Sequence, residues 1–305
     1  MEVSGMKSGK SILPALSVIL AGILWGVINL FIRALSAGGL GALEISLLRT
    51  AGAALLFSLF LLIRDPKKFR IRFRDIWLFI GTGIVSLVLF NVCYFHTMIA
   101  SEASVAVVLL YTSPVFVMLL SALFFRERVT LSKILALSLT IAGTVLVAGL
   151  LGSGAQLSLP VLLTGIGSGF FYALYSIFGN LALRRYDPMT VTVYTFLFAF
   201  AGSIPLGKPL ETIRILTGDP ELILWGIGIA LVSTALPYFF YTYGLARMET
   251  GRAAILVAVE PLVGALIGIL VFGEEHGLLK LLGILLILAA VVVLNLPSGK
   301  GARPS

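Results

Sequence analysis

The chain is built from apolar runs about as long as a bilayer is thick. A helix needs ~20 consecutive, mostly apolar residues to cross hydrocarbon. Reading between charged clusters and turn residues gives ten such runs, at 12–35, 43–63, 76–98, 103–125, 132–151, 159–183, 189–206, 221–246, 252–272 and 278–296. The breaks between them are too charged to enter lipid. Arg64-Asp-Pro-Lys-Lys68 continues into Arg70, Arg72 and Arg74, and Arg126-Glu-Arg128, Arg184-Arg185-Tyr-Asp-Pro188 and Gly273-Glu-Glu-His276 do the same elsewhere. Charged residues make up 12% of the chain and mean hydropathy is +1.09, which leaves too little polar surface for a soluble protein of this length. Disordered chains have the opposite bias. Strand-like alternation is missing, which argues against an outer-membrane barrel. The expected fold class is an all-α polytopic membrane protein with ten transmembrane helices.

Lys7 and Lys10 precede the first run, and Ala34-Leu-Ser-Ala37 has the small residues of a cleavage site. That run exceeds the ~7–15 residues of a signal core and carries Trp25, Asn29 and Arg33, so it reads as an uncleaved helix. Lys and Arg set the direction of insertion. With the N-terminus in the cytoplasm, every basic residue except Arg33, Arg49, Lys208, Arg214 and Lys280 falls in a cytoplasmic segment. Both termini are therefore expected in the cytoplasm. The net charge of +8 is then a basic membrane face rather than a nucleic-acid surface. Cys93 stands alone, so it can form neither an intramolecular disulfide nor a thiolate metal site.

The chain also matches itself. At an offset of 147 residues Tyr94 meets Tyr241, Glu102 meets Glu249, Pro114 meets Pro261, Glu127 meets Glu274 and Lys133 meets Lys280. The register holds back through Gly81/Gly228 and Val85-Ser86/Val232-Ser233. Near the start of each half the offset is 143, and Gly22-xxx-Gly26 meets Gly165-xxx-Gly169. Small residues at that spacing let helices approach closely. Each copy holds five spans. Five is odd, so the second copy enters the membrane from the opposite side, as in many secondary transporters. The expected layout is one repeat at 12–151, a second at 159–296, and tails at 1–11 and 297–305.

Two stretches carry a resemblance, Leu109-L-Y-T-S-P-V-F-V-M-L-L-S-A-L-F-F-R-E-R128 and Arg252-A-A-I-L-V-A-V-E-P-L-V-G-A-L-I-G-I-L-V-F-G-E274, joined by Leu24-Trp-Gly26. Each long stretch couples a mid-helix proline to a glutamate after the helix end. In this the chain resembles the drug/metabolite transporter superfamily, in its form with two EamA domains. The resemblance implies export or exchange of small metabolites through a bacterial or archaeal inner membrane. It also implies a central cavity formed by helices 1, 3, 4, 6, 8 and 9, with the others peripheral. The halves differ at one point: Ser113 precedes Pro114, whereas Glu260 precedes Pro261.

Glu260 is the leading candidate. A mid-bilayer charge costs ~2.5–3.5 kcal/mol on insertion scales. It either faces a wet cavity or bonds the backbone that Pro261 frees. Pro114 and Pro261 are matched breakers, read as helix-break or gating positions. Trp25 and Asn29 share a helix face at a spacing of four. Asn91, Tyr111, Tyr172, Tyr175 and Tyr238 complete the expected substrate-binding set. For Asn29 and Asn91, interhelical hydrogen bonding is the competing role. Tyr94, Tyr241 and Tyr243 fit an interfacial aromatic belt, and His96 an interfacial position. Arg49, five residues after Glu44, reads as a peripheral side chain that snorkels or pairs with that glutamate. Glu127 and Glu274 mark helix boundaries.

No metal-ligand spacing, phosphate-cradling loop or Walker-type motif is present, so an enzyme or an ATP-driven pump is not expected and no cofactor is implied. The expected function is secondary transport by alternating access, with amino acids or related amphipathic solutes as cargo and export as the direction. Drug or amine efflux, exchange of another metabolite, a channel and a non-transporting receptor are the rivals. The expected partners are a small-molecule substrate and the lipid bilayer. A coupling proton, and the choice between monomer and homodimer, stay open.

Overall fold

The structure, a computed structural model, describes residues 12–101, 103–150, 158–273 and 277–295. The expected tails and the residues Glu102 and Glu274 lie outside that set. The regular elements among the described residues are all helical, without strands. Eight helices are long and apolar enough to cross a membrane: α1 (Leu13–Ala37), α2 (Ala42–Arg64), α3 (Phe73–Ala100), α4 (Ser104–Phe125), α6 (Leu159–Leu183), α8 (Pro220–Leu245), α9 (Thr250–Phe272) and α10 (Leu278–Asn295). Two further apolar helices, α5 (Leu131–Val147) and α7 (Pro188–Ser203), fall short of the runs expected at 132–151 and 189–206. The reasons are local. Gly149 adopts a left-handed φ of 71° just past α5. Pro205 stands just past α7 and has no N–H with which to continue the helix's hydrogen bonds.

Several helices are interrupted, and all but one of the interruptions described below recur in the sequence repeat. In α4 a turn at Tyr111–Thr112 separates Ala103–Leu110 from Ser113–Phe125. In α9 a 3₁₀ turn at Val257–Val259 separates Thr250–Leu256 from Glu260–Phe272. Pro114 and Pro261 each stand at the second position of the restarted segment, where a missing N–H and a fixed φ are tolerated. In α3 the residues Gly81–Val88 form a π-helical stretch, and in α8 so do Leu231–Ala235. The 147-residue offset carries 84–88 onto 231–235, so this irregularity is repeated too. α1 breaks at Val27, between Leu13–Gly26 and Ile28–Ala37, while α6 runs unbroken through the matching position.

The glycines show how the first five helices meet the last five. A Cβ on Gly22 would come within 2.6 Å of the Val257 carbonyl oxygen, and one on Gly26 within 2.8 Å of that of Glu260. The mate of this contact is Gly169, where a Cβ would lie 3.0 Å from the Leu109 carbonyl oxygen. Thus α1 lies against the break in α9, and α6 against the break in α4. A Cβ on Gly83 in α3 would meet the Thr195 carbonyl oxygen of α7 at 2.6 Å, and Gly52 in α2 abuts Ala230 in α8. α5 and α10 cross at Gly143 and Gly283, each backed by the other's carbonyl. Close packing of this kind is what small residues permit between helices in lipid. Every one of these contacts joins an early helix to a late one.

One end of the bundle is closed by polar contacts. Asp75 is buried, forms an ion pair with Arg185 and accepts a 2.6 Å hydrogen bond from the Tyr186 hydroxyl. Tyr194 donates to the Phe69 carbonyl at 2.6 Å, and Thr190 to that of Lys68 at 3.0 Å. Burial, and then the Asp75 carboxylate, raise the Tyr186 phenol above its usual pKa. At the same end Glu127 accepts from the backbone amides of Thr250 at 2.6 Å and Gly251 at 3.0 Å. Lys133, 4% exposed, reaches Glu249 at 2.9 Å and Glu127 at 3.7 Å. The boundary residue Glu127 therefore caps the first turn of α9.

Candidate functional site

The breaks in α1, α4 and α9 surround a cavity of about 170 Å³. A cavity of ~150 Å³ takes a benzene-sized guest, so this one suits a solute of comparable bulk. α1 contributes Trp25 and Asn29, α3 Asn91 and Tyr94, α4 Tyr111, α6 Tyr172, α8 Tyr238, and α9 Glu260, Pro261 and Gly264. α2 contributes Arg49.

Eight of the ten positions singled out from sequence line this cavity: Trp25, Asn29, Asn91, Tyr111, Tyr172, Tyr238, Glu260 and Pro261. Two do not. Tyr175 lies behind Tyr238, ring centroids 5.2 Å apart, and its hydroxyl is 2.7 Å from that of Thr242. Pro114 is buried at the restart of α4, away from the lining. The Asn91 amide donates to Ser46 of α2 at 3.0 Å, and its side chain also borders the cavity.

Two tyrosines and an arginine depart from their expected places. Tyr94 borders the cavity rather than an interfacial belt. Tyr241 is 4% exposed and shares a 2.7 Å hydrogen bond with Ser176. Tyr243 and His96 do lie at the surface side, Tyr243 under the Arg247 guanidinium at 3.7 Å and His96 exposed. Arg49 does not pair with Glu44, whose carboxylate faces Lys208 at 3.8 Å. Its Nε instead donates to the Thr234 hydroxyl of α8 at 3.0 Å. The signal is present in the sequence. An arginine inside an apolar run has the same mid-membrane cost as Glu260, but the proximity of Glu44 and the peripheral place that the resemblance implies for helix 2 disguise it.

The aromatic floor separates the cavity from the closed end of the bundle. Trp25 packs edge-on against Tyr238 at 4.8 Å, and Tyr238 against Phe196 at 4.9 Å. Trp25 also meets Tyr241 at 5.6 Å. Offset and edge-on rings at such distances add ~0.5–1.5 kcal/mol per pair beyond area burial. The lining lies above this floor, at the level where α1, α3 and α9 run toward their C-terminal ends. Asn29 is exposed at the mouth, and Arg49 and Glu260 are partly buried.

Local structure sets both charges. Glu260 opens a helical segment, so its carboxylate sits where the helix dipole is positive. The Tyr111 hydroxyl, from the matching break in α4, lies within reach of it. Thr234 belongs to the π-helical turn of α8, and its hydroxyl donates to the Ile229 carbonyl at 2.9 Å while it accepts from Arg49. Such turns occur often at functional sites. Among the described residues no group of three or more His, Cys, Asp or Glu could hold a metal ion.

Comparison with known proteins bears on the same regions. The EamA-like transporter family matches twice, over residues 12–149 and 159–296. An uncharacterized transporter of Archaeoglobus fulgidus is 31% identical over 277 residues, covering 91% of this chain and 94% of its own. The uncharacterized inner membrane transporter YicL of Salmonella typhimurium is 26% identical, covering 94% and 97%. The threonine/homoserine exporter RhtA of Salmonella typhimurium is 29% identical over 129 residues, covering 41% of each chain. A solved crystal structure shares the fold with a TM-score of 0.76 at 16% identity, covering 93% of this chain and 96% of that one. With two family matches spanning nearly all its length and a multi-helix membrane architecture to hold them, the chain belongs to the EamA-like transporter family.

Proposed function

We propose that this protein is a secondary transporter that moves small organic solutes across the inner membrane by alternating access. On this reading its ten apolar helices all cross the bilayer, as two inverted five-helix repeats with both termini in the cytoplasm. Amino acids and related amphipathic solutes are the cargo, and export is the direction. The observation that carries the reading is a small cavity bearing two opposite charges, at helix breaks repeated in both halves, above a closed end. Discontinuous helices at matched positions are where transporters of this kind bind their solutes. The distant likeness to a threonine/homoserine exporter supports the choice of amino acids. With cytoplasmic termini, the closed end faces the cytoplasm and the cavity faces outward.

The test is flux through purified protein in liposomes. Saturable uptake of a labelled amino acid, with counterflow driven by unlabelled solute inside, is the expected result. Flux that fails to saturate and shows no counterflow would mark a channel. Absence of flux for every amino acid and amine offered would mark a non-transporting receptor.

A further inference from the structure

The cavity holds one cationic and one anionic side chain, on helices that the sequence repeat does not make equivalent. Arg49 stands on α2 and Glu260 at the break of α9. They lie within electrostatic range of each other. Yet no direct ion pair joins them among the described residues, and both border the same space. An unpaired charge at mid-membrane is expensive. Two such charges facing one small cavity are stable together when a third body, water or solute, bridges them.

The arginine is also held in a particular way. Thr234 accepts from its Nε, which fixes the plane of the guanidinium. Its two terminal nitrogens have no hydrogen-bond partner among the described residues. That leaves the fork whose geometry matches a carboxylate through two parallel hydrogen bonds. Lysine could not present such a fork. Across the cavity, Glu260 and the Tyr111 hydroxyl beside it offer acceptors to an ammonium. We infer that Arg49 takes the carboxylate and Glu260 the ammonium of one bipolar solute, so that the cargo must carry both groups. Thr234 is then a positioning residue. The inference rests on the transport reading above and narrows it: a simple amine leaves the arginine unmatched, and a simple carboxylic acid leaves the glutamate unmatched.

The experiment compares each L-amino acid with its two halves in proteoliposomes. For threonine the halves are 1-amino-2-propanol, which lacks the carboxylate, and 3-hydroxybutanoate, which lacks the ammonium. The expected result is saturable uptake of at least one amino acid that neither of its halves inhibits at equal concentration. Hydrogen bonds to charged groups contribute ~1.5–3 kcal/mol, so Arg49→Gln should raise the half-saturating concentration about 10–100-fold. It should also erase the preference over the amine half. Arg49→Lys should recover part of the affinity. Thr234→Val should weaken uptake while Thr234→Ser restores it, a rescue that simple packing would not give. Thermal melting of each variant shows that it is folded. Amine uptake equal to that of the amino acid, unaffected by Arg49→Gln in a folded protein, would overturn the bipolar site and leave the transport reading intact. No flux of any solute would overturn both.

Discussion

At the scale of single residues, the informative side chains are those whose placement is costly. Glu260 and Pro261 are legible in the sequence because hydrocarbon tolerates neither a charge nor a lost amide without compensation. Arg49 is equally costly but reads as peripheral, because the resemblance puts helix 2 outside the cavity and Glu44 stands nearby in the chain as a partner that the fold instead gives to Lys208. Linear proximity says nothing about which helix faces which. The glycines make a sharper residue-level prediction. A methyl group on Gly26 would press on the Glu260 backbone at 2.8 Å, where nothing can yield cheaply. Gly26→Ala should therefore cost about 1–3 kcal/mol, as overpacking does, and lower the melting temperature in detergent. Gly179 is the control, because a Cβ there meets only the end of Leu245 at 3.4 Å. Gly179→Ala should be neutral or stabilising by about 0.5–1 kcal/mol, from the usual helix preference. Equal melting temperatures for the two variants would contradict the close approach of α1 to α9.

At the scale of elements, the 147-residue offset is enough to place the breaks in α4 and α9 at matching positions. Proline and glutamate mark such breaks visibly. The π-helical turns in α3 and α8 are not legible, because an inserted residue needs no special side chain. The break in α1 is silent for the same reason. Glu127 leads to a prediction about opening. It holds two backbone amides of α9, and Lys133 braces it. Glu127→Ala should release the first segment of α9 from α4 and α6. The reporter is Ala254→Cys, buried against Val117 and Ala173, in a Cys93→Ser background. Labelling by a membrane-impermeant maleimide in inverted vesicles should rise several-fold when Glu127 is removed. Unchanged labelling would mean that the carboxylate is a passive cap.

At the scale of the whole molecule, the sequence repeat indicates two related halves but not how they combine. The glycine contacts show that they interleave, since each close approach joins an early helix to a late one. No pattern within one run could reveal that. Orientation is a property of the whole chain as well, and the Lys/Arg bias makes it testable. A green fluorescent protein fused to the C-terminus should fluoresce, and alkaline phosphatase at the same point should be inactive. The reverse pair of results would invert the membrane placement and turn the cavity toward the cytoplasm. The matched π-helical turns have a further consequence for the alternating access proposed above. Each contains a serine, Ser86 or Ser233, that is fully buried and whose hydroxyl has no partner among the described residues. An extra residue in a helix acts as a dislocation acts in a crystal. It can glide along the lattice by one step, breaking and remaking bonds locally, while the material on either side stays ordered. The spare hydroxyls are vacant sites such a glide can fill. Two matching dislocations, one in each half, would let α3 and α8 re-aim their ends without either helix melting.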